Sequence, residues 1–263
     1  MGQERIVVLG TGGTIAGTAA SLGAHLGYRP GQLPVADLVA AIPGLSGVRV
    51  DTEQVAQIDS KDMDPAVWIA LAQRCQHWLS SADVGGLVVT HGTDTVEETA
   101  YFLHRVVAPA KPIVLTCAMR PATALSPDGP QNLADAIAVA RSPGARGVVV
   151  ACAGRVHAAS DVRKVHSYRL DAFSSGDAGV LGYVEDGRLR QVRDWPQTEA
   201  AAVTLGQLRD PANWPRVEII VSHAGASARG VQALLRDGVE GIVVAGTGNG
   251  SVHAALEHAL ADA

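Results

Sequence analysis

The sequence is poor in three features that mark particular classes of protein: cysteine, long apolar runs and clustered basic residues. Its three cysteines are odd in number and widely spaced, which predicts neither a disulfide framework nor a zinc site. We interpret Cys75, Cys117 and Cys152 as small, buried apolar side chains. No apolar run approaches the roughly 18 to 20 residues that cross a bilayer, so we expect no membrane contact.

The charge balance of the chain is slightly acidic, with a formal net charge of -5 and a pI of about 6.0. Nucleic-acid binding requires clustered Lys and Arg, so we expect a small-molecule partner and no nucleic acid. We also expect no metal ion and no cofactor. The first apolar run, residues 6–9, is too short for the core of a signal peptide, which predicts a cytoplasmic protein.

The composition, 47% hydrophobic and 18% charged, is that of a folded chain, and 263 residues suffice for two unequal domains. Strand-like apolar runs alternate with helix-like patterns, which is typical of α/β architecture with a parallel sheet. The first helix begins at Asp64, a candidate N-cap that precedes a proline. The predicted strands are 87–90, 112–116 and 147–151, and the predicted helices that alternate with them are 96–107 and 131–141.

The alternation lapses into polar residues between 186 and 215, which predicts a linker. Strand-like runs at 218–222 and 241–245 then restart it, with a helix around 231–235 between them. We therefore predict a larger parallel-sheet domain, residues 1–185, and a smaller α/β domain, residues 216–263.

Ligands of open parallel sheets bind beyond the carboxyl ends of the strands, so the turns there are the candidate sites. Residues 10–14 combine three glycines with two threonine hydroxyls. They lack the lysine of a Walker A motif and the third glycine of a G-x-G-x-x-G, and a purely structural glycine turn stays an alternative. Residues 90–95 present hydroxyls and a carboxylate, for which helix capping by Thr93 or Asp94 is the alternative.

Two further turns follow at 116–121 and 160–164, and Lys164 taken alone has the pattern of a solvated surface charge. A threonine hydroxyl is a weak nucleophile near neutral pH and needs a base or a polar network. His91 lies beside a candidate turn, but a carboxylate, a hydroxyl and a lysine suffice for proton transfer without it.

The motifs at these turns resemble those of bacterial type II L-asparaginases and asparaginase-glutaminases. Residues 11–17, TGGTIAG, are similar to the family's first signature, and residues 91–100, HGTDTVEETA, to its second. Shorter matches follow in the family's order at 60–63, 118–121, 128–130, 161–164 and 246–250. The resemblance covers nearly the whole chain and implies hydrolysis of L-asparagine to L-aspartate and ammonia, with L-glutamine as a further substrate.

The same resemblance implies a role for each site residue. Thr14 would be the nucleophile that forms a β-aspartyl ester, assisted by Tyr28, and residues 17–33 would form a mobile lid over it. The implied second catalytic group is Thr93, Asp94 and Lys164. The implied substrate-binding residues are Ser60, Lys61, Gly13, Gly92, Ala118 and Asn249.

Within this set, the carboxylate of Asp94 would match the α-amino group of the substrate and Ser60 its α-carboxylate. Backbone N–H groups at Gly13 and at Gly92 or Thr93 would stabilise the oxyanion, and the carbonyl of Ala118 would face the leaving amide.

The chain departs from the family's pattern in three places. Lys61 stands where type II enzymes have glutamine. Cys75 lies near one position of the family's cysteine pair but has no partner before residue 111, which agrees with a reducing compartment. Family members continue further past residues 246–250 than this chain, so we expect the smaller domain to be incomplete relative to the family.

The family's shared interfacial site implies a homo-oligomer, a dimer of dimers, with Asn249 acting across an interface. Two alternatives stay open. One is a non-catalytic or impaired amino-acid-binding homologue, and the other is a related amidase acting on glutamine. The acidic balance speaks against a form that acts on glutamine attached to tRNA.

Overall fold

Two compact units, residues 1–209 and 210–263, make up the chain in a computed structural model. The structure describes residues 5–19, 27–45, 47–197, 203–208 and 210–263. In the described part of the first unit, the helices are α1 Val35–Ala40, α2 Pro65–Leu79, α3 Val96–Val106 and α4 Gly129–Ala140. Its strands are β1 Arg5–Gly12, β2 Val50–Ile58, β3 Val84–Thr90, β4 Pro112–Thr116, β5 Gly147–Cys152, β6 Arg155–Ala158, β7 Arg163–Lys164, β8 Phe173–Ser174, β9 Gly182–Glu185 and β10 Arg188–Gln191.

Eight of these strands form one mixed sheet in the order β10-β9-β6-β5-β4-β3-β1-β2. The five strands from β2 to β5 in this order are parallel, and β6, β9 and β10 continue the sheet in antiparallel pairs. Every residue of β4 and β5 is buried, as expected for parallel strands covered on both faces. The predicted α/β class with a large parallel sheet is therefore confirmed.

The strand order reverses at β1, because the chain passes from β1 to β2 on one side and returns to β3 on the other. A crevice at the carboxyl ends of the strands arises at such a switch point. The turns after β1, β2 and β3 therefore end at a common edge of the sheet, and the turn after β4 lies next to them.

Local signals account for the helices that were predicted. The carboxylate of Asp64 accepts the Val67 N–H at 2.8 Å, and Pro65 occupies the first helical turn of α2. Helix α4 presents Leu133, Ala136 and Ile137 to an apolar cluster that includes residues of β1, β3, β4 and β5. The spacing of apolar residues thus fixed both the helix and the face that it buries.

Three features of the first unit differ from the expectations. Strand β2 was not predicted, since none of its residues is fully buried and its sequence mixes polar with apolar residues. The antiparallel strands β6, β9 and β10 are too short to show a period. Residues 188–191 lie in the predicted linker of 186–215, yet they form β10 and pair with β9. The domain boundaries at 185 and 216 stay predictions.

The second unit contains β11 Val217–Val221, α5 Arg229–Arg236, β12 Gly241–Ala245 and α6 Ala254–Ala261. Strands β11 and β12 pair in parallel, with Val217 opposite Gly241 and Val221 opposite Ala245. This is the strand, helix, strand order that the alternation predicted. Across the described residues of both units, no helix is long and apolar enough to cross a membrane.

Candidate active site

The turn after β1 places the hydroxyl of Thr14 against that of Tyr28. Gly12 and Gly13 have φ of 105° and 79°, a backbone conformation that residues with a Cβ rarely adopt. Thr14 then begins a short 3-10 helix, Thr14–Ala16, and its side chain is buried. Its Oγ1 lies 2.7 Å from the hydroxyl oxygen of Tyr28, so either group can donate to the other.

Tyr28 is held by the segment around it. Thr18 and Arg29 exchange two backbone hydrogen bonds, at 2.9 and 2.8 Å. A Cβ at Gly17 would lie 2.9 Å from the ring of Tyr28, so the ring packs directly on the backbone there. Residues 20–26 of the predicted lid lie outside the described residues.

The turns after β1 and β3 touch through two glycines. A Cβ added to Gly13 would lie 2.3 Å from both the Cα and the N of Gly92. A Cβ added to Gly92 would lie 2.4 Å from the Oγ of Ser60. The absence of two side chains therefore brings the turn of Thr14, the turn of Thr93 and the turn of Ser60 together at the edge of the sheet.

Lys164 joins the hydroxyl of Thr93 to the carboxylate of Asp94. Its Nζ donates to Thr93 Oγ1 at 2.7 Å and to Asp94 Oδ1 at 2.5 Å. The lysine side chain is 19% exposed, whereas that of Asp94 is 54% exposed and therefore accessible from solvent. The interpretation of Lys164 as a solvated surface charge is wrong, because its ammonium group lies in this polar group.

The alternative that Thr93 or Asp94 caps helix α3 is also wrong. Thr95 is the N-cap residue, and no side-chain hydrogen bond caps the helix there. Instead, the Thr95 hydroxyl donates to the carbonyl of Ser60 at 2.7 Å, and Ser60 Oγ accepts the Asp94 N–H at 3.2 Å. These bonds leave the side chains of Thr93 and Asp94 to face Lys164.

His91 is buried, and both of its ring nitrogens have hydrogen-bond partners inside the fold. Burial lowers the pKa of its imidazole from 6.5 to about 4. Thr99 Oγ1 accepts the indole N–H of Trp68 at 2.8 Å and lies 2.9 Å from Nε2 of His91. The Thr99 hydroxyl thus donates to Nε2, and the Nδ1–H donates to the carbonyl of Gly92 at 2.8 Å.

The turn after β4 is fixed by helix α4 and the residue before it. The carboxylate of Asp128 accepts the N–H groups of Met119 and Arg120, both at 2.9 Å. The side-chain amide of Asn132 donates to the carbonyl of Cys117 at 2.9 Å. These contacts hold the buried Ala118 between them, so its carbonyl is a rigid acceptor rather than part of a loose loop.

One of the predicted substrate-binding residues, Gly13, is placed differently, and two others, Lys61 and Asn249, are exposed. The N–H of Gly13 donates to the carbonyl of Ile58 at 2.8 Å, so the prediction that it stabilises an oxyanion is wrong. Lys61 is 60% exposed and its ammonium pairs with Asp62 at 2.5 Å and Asp59 at 3.5 Å. Asn249 lies in the second unit, within the turn that Thr247 and Ser251 close, and its predicted role stays a prediction.

Residues that the sequence did not single out support the site. A carboxylate oxygen of Glu97 accepts the backbone N–H of Lys164 at 2.5 Å. Asp128 was noted only as part of a short motif, and Asn132 only as part of a helix. Asn132 is buried, and no pattern in the sequence marked it as part of the site. Among the described residues, no group of three or more His, Cys, Asp or Glu could hold a metal ion.

Comparison with known proteins gives one consistent result. A family model described as asparaginase, N-terminal, matches residues 5–197. The chain is 40% identical to a probable periplasmic L-asparaginase of Haemophilus influenzae, over 98% of this chain and 74% of that protein. It is 39% identical to L-asparaginase 2 of Escherichia coli over the same shares, and 40% identical to a glutaminase-asparaginase of Pseudomonas fluorescens over 97% of this chain and 71% of that protein.

A solved structure agrees with these matches. The crystal structure of a probable cytoplasmic L-asparaginase from Campylobacter jejuni aligns with a TM-score of 0.93 and 40% identity. The alignment covers 98% of this chain and 80% of that chain. The turns that carry Thr14 and Lys164 both lie within the residues that the family model matches. This chain belongs to the asparaginase family.

Proposed function

We propose that this protein hydrolyses the side-chain amide of L-asparagine to L-aspartate and ammonia, through an ester on Thr14. The observation that carries the proposal is the hydrogen bond between the hydroxyls of Thr14 and Tyr28, at 2.7 Å. The polar group of Lys164, Thr93 and Asp94 lies at the same switch point of the sheet. Membership of the asparaginase family supports the same reaction class.

In the first step, the Oγ1 of Thr14 attacks the amide carbon, its proton passes to the hydroxyl oxygen of Tyr28, and the tyrosine's own proton passes in the same relay to the amide nitrogen. The C–N bond then breaks, ammonia leaves, and the ester on Thr14 is left for water to hydrolyse. A weak nucleophile requires such a partner, because a free threonine hydroxyl is protonated near neutral pH. Burial of Thr14 limits the water that can compete with the substrate at this step.

The negative charge that develops on the amide oxygen needs hydrogen-bond donors. The backbone N–H groups of Gly92 and Thr93 are available to donate hydrogen bonds to this oxygen, because no described residue accepts from either of them. Such donors contribute on the order of 10²- to 10³-fold each to the rate. The carbonyl of Ala118 would accept from the leaving amide, where Asp128 and Asn132 hold its turn.

The second polar group acts on water and on the α-amino group of the substrate. Lys164 donates to Thr93 Oγ1 and to Asp94 Oδ1, and the Thr93 hydroxyl donates to the same Asp94 oxygen at 3.4 Å. The half-exposed Asp94 carboxylate is the natural partner of an ammonium group. Ser60, whose Oγ accepts the backbone N–H of Asp94, would bind the α-carboxylate.

The test compares two threonines of one turn. Thr14→Ala should lower ammonia release from L-asparagine by on the order of 10³-fold or more, because the nucleophile is lost. Thr11→Ala is the matched control. Its hydroxyl donates to the carbonyl of Thr90 at 2.9 Å, so its loss should cost about 1 kcal/mol of stability and little activity. Equal turnover in Thr14→Ala and wild type would disprove the nucleophile.

L-Glutamine is the second candidate substrate, favoured by the name of the Pseudomonas fluorescens relative. We expect a change of Lys61 to alter the preference between L-asparagine and L-glutamine, because its charge lies beside the turn of Ser60. Lys61→Gln should change the ratio of kcat/KM for the two amino acids, whereas Lys111→Gln, a lysine bound to the carbonyls of Leu79 and Ser81, should not. An unchanged ratio in Lys61→Gln would remove it from the site.

We also propose a dimer of dimers in which Asn249 completes the site of a neighbouring subunit, and a cytoplasmic location. The assembly implied by the family resemblance supports the dimer of dimers.

The cytoplasmic location is supported by three buried, free cysteines and by the name of the Campylobacter jejuni relative, while the Haemophilus influenzae relative is named periplasmic. The mass of the native particle and fractionation of cells that produce the protein test the two proposals separately.

A further inference from the structure

Two thiols face each other at the edge of the sheet, next to the site but outside the proposed reaction. Strands β4 and β5 pair in parallel with Thr116 opposite Ala151; Cys117 directly follows the end of β4, and Cys152 is the last residue of β5. Their sulfur atoms lie 3.7 Å apart, with the Cys117 thiol donating to that of Cys152, and both side chains are buried. This contact was not foreseen from the sequence, where the two cysteines lie far apart.

The backbone geometry suits a disulfide. Paired neighbours on adjacent strands have Cα atoms about 4.8 Å apart, within the range of about 4.4 to 6.8 Å that disulfides span. A disulfide requires an S–S length of about 2.05 Å, so rotation of the two side chains toward each other would close the remaining gap. Movement of the strands is not required.

The surroundings keep the pair together. The side-chain amide of Asn132 donates to the carbonyl of Cys117 at 2.9 Å and also contacts the sulfur of Cys152 at 3.7 Å. Its carbonyl oxygen accepts the N–H of Ala153 at 3.0 Å. One side chain of helix α4 thus ties the turn after β4 to the turn after β5.

We propose that Cys117 and Cys152 are a modification site, at which a small neutral peroxide forms a reversible disulfide. One sulfur attacks a peroxide oxygen, which gives a sulfenic acid and releases one water or alcohol. The second sulfur then displaces the sulfenic oxygen as water, and the S–S bond forms. Two thiols are oxidised and one peroxide is reduced, so the step balances without another reactant.

The rate of this step is limited by burial. The neighbouring Cys152 thiol and burial both raise the pKa of the Cys117 thiol well above its usual range. The thiolate is the nucleophile, so bulky charged thiol reagents should not reach or label the pair in the folded protein, and the reaction with peroxide should accelerate as pH rises. Cys75 is an internal control, since it is equally buried but lies on helix α2 rather than on the strand pair.

The test treats the folded wild-type protein with hydrogen peroxide, then unfolds it in the presence of an alkylating agent for mass spectrometry. We expect the loss of two hydrogen atoms, a cross-linked peptide joining Cys117 to Cys152, an alkylated Cys75, and reversal by dithiothreitol. Cys152→Ala should abolish the loss of hydrogen, and Cys75→Ala should retain it.

Partly buried Met63 and Met119 report whether peroxide has reached the protein, because each gains one oxygen when oxidised. Sulfoxide at these methionines with all three cysteines still alkylated would overturn the proposal. Oxidation of Cys75 ahead of the pair, or a sulfinic acid at Cys117 in place of the disulfide, would overturn it equally. The readout is chemical, so it stands whether or not the proposed amidase activity is correct.

Discussion

Gly92 shows how a single residue without a side chain can hold a site together. Its backbone lies against Gly13 on one side, and Ser60 occupies the space where a Cβ would stand on the other. The two hydroxyl-bearing turns approach each other only because neither glycine carries a methyl group.

Gly92→Ala should therefore lower both stability and activity. The added Cβ would meet the Oγ of Ser60 at 2.4 Å and its Cβ at 2.6 Å, an overlap that costs about 1 to 3 kcal/mol or displaces Ser60. Ser60 Oγ accepts the Asp94 N–H, so its displacement should also raise KM. Urea unfolding and steady-state kinetics measure the two effects.

The control for this change is Gly230→Ala in helix α5. Its nearest neighbour is a methyl group of Ile220 at 3.8 Å, and alanine favours a helix by about 0.5 to 1 kcal/mol over glycine. This variant should keep full activity and lose no stability. If Gly92→Ala behaved like Gly230→Ala, the close packing of the two turns would be wrong.

The sequence alone identified some residues of the site but not others. Position after a strand marked both the turn of Thr14 and the turn of Thr93, but only the family resemblance distinguished Thr14 from Thr11. The structure supplies the physical difference, because the Thr11 hydroxyl is bound to Thr90 whereas that of Thr14 meets Tyr28. No spacing in the sequence brings Lys164 to Asp94, since that contact depends on how the chain returns to the sheet.

Among the elements, strand β7 depends most on contacts from outside it. It has only two residues and pairs with the equally short β8. Glu97, in the first turn of α3, accepts the N–H of Lys164 and so joins this strand to the helix that follows Asp94. The position of the lysine is thus set by its backbone as well as by its ammonium group.

Glu97→Ala should cost about 1 to 3 kcal/mol of stability, because the N–H of Lys164 loses a charged acceptor. We also expect a lower kcat with a smaller change in KM, since Glu97 would position Lys164 without touching substrate. Glu97→Gln should restore part of the activity through its amide oxygen. Glu98→Ala is the matched control, as Glu98 is an exposed neighbour in the same turn. Equal kcat values in Glu97→Ala and Glu98→Ala would contradict this role.

For the whole molecule, two buried histidines link stability to pH. Burial is the main cause that lowers the pKa of His91 and of His157 from 6.5 to about 4. In the unfolded chain both rings take up a proton below about pH 6.5, whereas in the folded protein they stay neutral until about pH 4. Their contribution to stability is therefore lost as the pH falls through this window.

We expect the free energy of unfolding to fall by on the order of 2 kcal/mol for each histidine between about pH 6.5 and about pH 5. Urea unfolding at a series of pH values measures it. His157→Gln, which can keep a hydrogen bond to Ser175, should reduce the slope. The explanation fails if the slope of this variant equals that of the wild type.

Only part of the fold of the whole molecule could be predicted from the sequence. The buried strands β3, β4 and β5 and the helices between them were predicted, because continuous apolar runs and helical spacing are local properties. Strand β2 and the antiparallel extension were not, since pairing with β1 or β6 decides their conformation and no local pattern records a partner.

The position of β1 has a consequence for how the protein is made. It leaves the ribosome before β2 and β3, yet it lies between these two later strands in the sheet. Thr14 is therefore synthesised long before Gly92 can pack against its turn, and longer still before Lys164 emerges. A nascent chain that ends after β5 would contain the nucleophile and all five parallel strands without the lysine, so the site is complete only after Lys164 has emerged.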